Sequence, residues 1–327
     1  MDYSKFLYLS REDVKSLEIS MKMVIEAITK GFVEMGNGKV EMPPKPGIHP
    51  GPASDNNYIH AMPCYIPALR SAGMKWVSGY PPNQKKGLPY NAGLLIWNDV
   101  DTGMVRAVMD CIWLTTYRTA AASALSSKYL ARPESEAIGI YGCGVQGNIN
   151  LLAFAGEYKL KEVHCFDPVT AQAEKLAAYA RGLGMNAVVE TEPKNVVAGM
   201  DIVITAGPIV HTPHATLKEG WLKDGAFISM VDYDSAWSRA ALAEVDLFTT
   251  DNLAQYTYNK EVNGYFQDCP NVYAELGELV TGKKPGRTDA KQKTVACNLG
   301  IALEDMSVAP MIYEMAVAKN TGQWLPL

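Results

Sequence analysis

Apolar side chains recur at helical spacing from Ser20, where Val24, Ala27, Ile28, Phe32 and Met35 share one face, and Ser10 with Asp13 three residues on has the form of a capping box. The pattern predicts a chain that starts with helix. Between Gly36 and Pro67 come Pro43, Pro44, Pro46, Pro50, Pro52 and Pro63, so this part reads as loop and edge strand. Met74 to Val77 and Ala92 to Trp97 read as strands, and the first region is therefore α+β. After Thr115, TTYRTAAASALSSKYLAR predicts a helix that ends near Pro133 and bridges two domains. From Glu136 to about Val231, short apolar runs (AIGIY, EVHCF, AVVE, DIVIT, AFISMV) alternate with helical stretches, the signature of βαβ units on a doubly wound parallel sheet. The last stretch, TVACNLGIALEDMSVAPMIYEMAVAK, reads as helix interrupted at Pro310. It should pack on the first region, because the sheet has helices of its own.

At 327 residues, 48% hydrophobic and 20% charged, the chain has the profile of a globular protein with room for two domains. Thirty lysines and arginines against 35 acids leave a net charge of -5, and no basic patch marks a nucleic-acid partner. Six cysteines (64, 111, 143, 165, 269, 297) are scattered without a CxxC pair, which suits a reducing compartment. The N-terminal stretch carries Asp2, Glu12 and Asp13 and lacks the form of a secretory signal, while the uncharged run Ala137 to Gly156 is too rich in glycine and amides for lipid. A cytoplasmic protein with no membrane partner is expected.

Strand AIGIY leads into Gly142-Cys143-Gly144-Val145-Gln146-Gly147 and then into an apolar helical run, the strand-turn-helix setting that dinucleotide binding requires. Gly142 would permit the tight turn, Gly144 the close approach of a pyrophosphate, and Gly147 close helix packing. Val145 and Gln146 lie at the helix N-terminus, whose N–H groups attract an anion. Thr205, closing strand DIVIT, completes the candidate cofactor set. Asp167 ends strand EVHCF twenty residues after Gly147, where an acid accepts from the ribose hydroxyls and repels a 2′-phosphate, so NAD is expected over NADP, which a nearby basic residue could still admit. Asp167 could equally cap the helix that begins beyond Pro168. Lys75, between Met74 and Trp76, must snorkel, pair or face a polar cavity. Arg118 sits near a helix start, where the dipole disfavours a cation unless an anion holds it. Asp234 follows strand AFISMV at the end where α/β sheets bind ligands, though a surface-loop aspartate is the commoner case. His211 and His214 flank Pro213 without a third ligand, so no metal is expected. Cys143 reads as a small packed residue rather than a nucleophile, and Asp305 as a neighbour of the site.

The run from KWVSGYPPNQKKGLPYNAGLLIWNDVDTG to TTYRTAAASALSSKYLAR, with IGIYGCGVQG and IALEDMSVA, resembles the ornithine cyclodeaminase/μ-crystallin family of NAD(P)-dependent enzymes over nearly the whole chain. The resemblance implies a substrate-binding and dimerisation domain split between 1–131 and 301–327 around a Rossmann domain at 132–300, and a homodimer. It implies hydride transfer at the α-carbon of a small amino or imino acid. Lys75 and Arg118 match positions that hold and polarise the substrate, and Asp234 the acid that handles an amino group. A cyclodeaminase cycle, one-way ketimine reduction or amino acid dehydrogenation, and a non-catalytic μ-crystallin-like nucleotide binder all fit that likeness. Departures from it fall in two places, Lys45 and the segment from Asp232 to Ser238. Lys45 stands where an arginine often binds carboxylate, giving a point charge rather than a fork. Asp232 replaces a usual glycine, and Ser235, Ala236, Trp237 and Ser238 replace a Gly-Lys loop.

Overall fold

Ser10 opens helix α1 (Arg11–Ser16) with the reciprocal bonds its spacing predicts: its hydroxyl accepts from the Asp13 amide at 3.2 Å, and its own amide donates to Asp13 Oδ2 at 2.9 Å. The chain does not start with that helix, however. In the computed structural model, which describes residues 3–327 and so leaves Asp2 outside, strand β1 (Lys5–Leu9) comes first, with Leu7 and Leu9 turned inward. Then follow α2 (Met21–Gly36), β2 (Gly47–Ile48), β3 (Tyr58–Ile66), β4 (Ser71–Gly79), β5 (Asn91–Asn98) and β6 (Val105–Asp110). Helix α3 (Ile112–Leu130) leads on to β7 (Ala137–Tyr141), α4 (Val145–Glu157), β8 (Glu162–Phe166), α5 (Thr170–Gly182), β9 (Asn186–Val189), β10 (Ile202–Thr205) and β11 (Phe227–Met230). After these come α6 (Arg239–Leu242), β12 (Leu247–Thr250), α7 (Leu253–Glu261), β13 (Ala274–Glu275), α8 (Leu276–Val280) and β14 (Thr294–Cys297). The last elements are α9 (Ala302–Ala318) and β15 (Gln323–Pro326).

Two units emerge, Met1–Arg118 with Ile301–Leu327, and Thr119–Gly300. Among the described residues, the first is built on a seven-stranded sheet ordered β15-β1-β6-β5-β4-β3-β2, antiparallel except where β1 meets β6. Its core lies where α9 packs on β3 and β4, with α2 packed on α9. Gly31 of α2 lets the two helices close up, since a Cβ there would come within 2.0 Å of Ser307 Oγ. The second unit is an eight-stranded, wholly parallel sheet ordered β13-β12-β14-β11-β10-β7-β8-β9, the doubly wound arrangement of a Rossmann-type domain.

Three further expectations give way, each for a local reason. The proline-rich stretch carries the expected edge strand, β2, but also a nine-residue interior strand, β3, with Pro63 inside it. The Ala61 and Tyr65 amides donate outward, to Pro46 and Glu41, so the donor that Pro63 lacks would have faced that same side. TVAC is not helix but β14, buried on both faces between β12 and β11, and a strand so enclosed shows no alternation. Pro310 does not interrupt α9. A proline cannot donate to the carbonyl four residues back, which is that of Met306, and the Ser71 hydroxyl supplies the bond instead at 2.6 Å.

Candidate active site

In the second unit, β7 ends in Gly142 at φ +94°, a conformation glycine adopts without strain. A Cβ on Gly147 would lie 2.2 Å from the Gly142 carbonyl oxygen, so α4 can begin against the turn only with glycine there. Gly144, the N-cap residue, has nothing within 4 Å of its Cβ position, and no side chain caps the helix. Open space over Gly144 and uncapped amides at Val145, Gln146 and Gly147 make the turn a fitting cradle for a pyrophosphate. Asp167, closing β8, accepts from the Cys143 amide at 2.8 Å through one oxygen and from the Val169 amide at 2.8 Å through the other. It therefore braces the glycine turn and the start of the next helix, with lone pairs left to accept from ribose hydroxyls. Thr205 is buried at the end of β10 and donates its hydroxyl to Asp232 Oδ1 at 2.5 Å. Cys143, like the other five cysteines, is buried and free.

In the first unit, Lys75 turns inward from β4 while neighbouring Trp76 stands 45% exposed, the reverse of their polarity. Its ammonium has no exposure and meets Asp305 at 2.7 and 2.9 Å and the Thr115 hydroxyl at 3.3 Å. Arg118, in α3, pairs with Glu304 at 2.7 Å and approaches Asp305 at 3.6 Å. Both acids are fully buried in the first turn of α9, where the helix dipole favours negative charge. Burial and the Arg118 charge push the Lys75 ammonium below its ordinary pKa, with Asp305 pulling the other way. Lys45 lies just before β2, whose Gly47 pairs with His60 of β3. Burial, with the charges of Lys45, His49 and Lys75, pushes the His60 imidazole down to about 3.

The first unit thus brings Lys75 and Arg118 together around Asp305, named from the sequence only as a neighbour, and Glu304, which the sequence reading passed over. Their signal was two adjacent acids at the head of a largely apolar helix. Asp234 belongs to the second unit and is 1% exposed. Its Oδ2 accepts from Arg239 at 2.6 Å and from the Phe266 amide at 3.2 Å, while no hydrogen bond among the described residues reaches Oδ1. His211 stacks on Tyr265 at 4.5 Å. Among the described residues no group of three or more His, Cys, Asp or Glu could hold a metal ion, and no helix is long and apolar enough to cross a membrane.

Comparison with known proteins bears on this geometry. The model of the ornithine cyclodeaminase/mu-crystallin family matches residues 5–320. An alanine dehydrogenase of Archaeoglobus fulgidus is 32% identical over 323 residues, covering 97% of each chain. Among solved structures, an archaeal alanine dehydrogenase dimer with bound NAD superposes with a TM-score of 0.89 at 30% identity, covering 99% of each chain. The Δ1-pyrroline-2-carboxylate reductase of Thermococcus litoralis, in complex with NADH and L-proline, gives 0.87 at 31% identity, covering 97% of this chain and 99% of that one.

Proposed function

The chain belongs to the ornithine cyclodeaminase/mu-crystallin family, and on that premise we propose that it is an NAD-dependent oxidoreductase acting at the α-carbon of a small α-amino or α-imino acid, with net turnover of the coenzyme. The observation that carries this reading is the buried group of Lys75, Arg118, Glu304 and Asp305. Burying four charges is costly, and such a group is expected where a site must meet a charged ligand rather than where stability alone is selected. Arg118, and Lys45, whose charge is felt at His60, fix the substrate carboxylate; Lys75, with its lowered pKa, holds and exchanges the proton at the α-nitrogen. The second unit supplies the coenzyme turn of Gly142, Gly144, Val145, Gln146 and Gly147, with Asp167 on the adenosine ribose and Thr205 at the end of β10. When bound, the nicotinamide supplies or accepts the hydride.

Dehydrogenase or reductase turnover is favoured over a cyclodeaminase cycle by the resemblance of the chain to alanine dehydrogenase and pyrroline-carboxylate reductase. A homodimer is proposed because one relative is a dimer, with the first unit as its dimerisation domain as the family resemblance implies, and light scattering of the purified protein should give a homodimer. A panel of amino and cyclic imino acids, with NAD(H) and NADP(H) compared, tests the activity. Stoichiometric NADH consumption with an imino acid is expected; ammonia release without net change in the coenzyme would instead establish the cyclodeaminase.

A further inference from the structure

We infer that Asp232 belongs to the coenzyme site, its second carboxylate oxygen set beside the nicotinamide half of a bound dinucleotide, where its negative charge favours the oxidised pyridinium over the reduced ring. The inference rests on the coenzyme reading above and adds a residue to it. In the second unit the chain winds outward in both directions from β7 and β10, with β8 and β9 on one side and β11 on the other. Ligands of open α/β sheets lie at the carboxyl ends of the strands at such a switch point. Asp167, after β8, marks the adenosine side, and Asp232 follows β11 on the opposite side.

Contacts tie Asp232 to the glycine turn. A Cβ on Gly142 would lie 2.8 Å from the Gly207 nitrogen, and a Cβ on Gly207 would lie 3.4 Å from Asp232 Oδ2. Three strand exits thus meet within a few ångströms. Asp232 is 1% exposed. Thr205 holds Oδ1, but no hydrogen bond among the described residues reaches Oδ2, although the amides of Gly207 and of Asp232 itself lie near enough to favour the ion. A buried carboxylate oxygen left without a full partner is the kind of group a ligand satisfies. Burial pushes the carboxyl up to about 7, helped by the charge of Asp234; the Cys297 thiol feels the Asp232 charge, and the Tyr141 ring lies beside the same Gly207 position. The charge is therefore present in mildly alkaline solution.

The test is the binding of NAD+ and of NADH, separately, to the full chain at about pH 8.5, by calorimetry and by NADH fluorescence. Asp232→Asn should lose about tenfold or more in affinity for NAD+ relative to NADH, since one charge acting across a few ångströms of protein is worth at least that much. A ratio within twofold of wild type overturns the inference and leaves the coenzyme reading intact. Wild-type protein that binds neither form overturns both. Should circular dichroism show the Asn variant unfolded, Asp232→Gly, the residue usual in the resembled family, reads the same ratio.

Discussion

Lys75 is the residue on which the proposed chemistry turns. Lys75→Ala should lower kcat/KM about a hundredfold or more while NADH binding, measured by fluorescence, stays within a fewfold of wild type. Equal loss of both would assign the lysine to folding instead. Arg118→Lys keeps the charge but not the fork, so its effect should fall mainly on KM for the acid. Asp232 makes a prediction about pH. Its carboxyl is raised from an ordinary 3.8 to about 7 in the folded protein, so below about pH 4 it is neutral in both states and costs nothing. Between about 4 and 7 the unfolded chain gives up the proton first, and stability declines as the pH rises. The melting temperature of Asp232→Asn should pull ahead of wild type across that window and then run parallel. From sequence, Lys75 and Arg118 were visible because a charge in apolar surroundings has to be explained. Their partners were not, because Glu304 and Asp305 lie 186 or more residues away in the chain, and no spacing rule reaches that far.

At the scale of elements, α9 depends on a serine from a strand. Ser71→Ala leaves the Met306 carbonyl without its hydroxyl donor and takes the acceptor from Trp97 Nε1, which bonds to Ser71 Oγ at 3.1 Å. Chemical denaturation should show a loss of about 1–3 kcal/mol. Gly31→Ala forces a methyl against Ser307 and should cost a similar amount through overpacking of α2 on α9. Helices with caps and one-sided burial, α1 and α2, were legible in the sequence, as were the strands that alternate with helices in the second unit. β12 and β14, as short and as enclosed as the β10 and β11 that were read, were not, for TVAC runs on into the helical pattern of α9 and LFTT ends in two polar threonines. The proline in α9 misled for another reason: its missing bond is replaced by a residue distant in the chain.

For the whole molecule, the doubly wound sheet could be read from the order of its elements, because parallel strands need helical crossovers and the sequence displays them. The mixed sheet of the first unit was harder, since β1, β6 and β15 find their neighbours across long stretches of chain. That arrangement bears on how the protein is made. Lys5 pairs with Pro326 and Tyr8 with Gln323, so the two ends of the described chain lie side by side as adjacent strands. During synthesis the dinucleotide unit is fully translated while the first unit still lacks α9 and its outermost strand. The buried lysine and arginine must wait for Glu304 and Asp305, and β15 can join the edge of the sheet beside β1 only after the strands between them in the chain have been made. Joining the ends with a short linker and reopening the chain in an exposed loop should therefore yield a folded protein whose order of assembly is reversed.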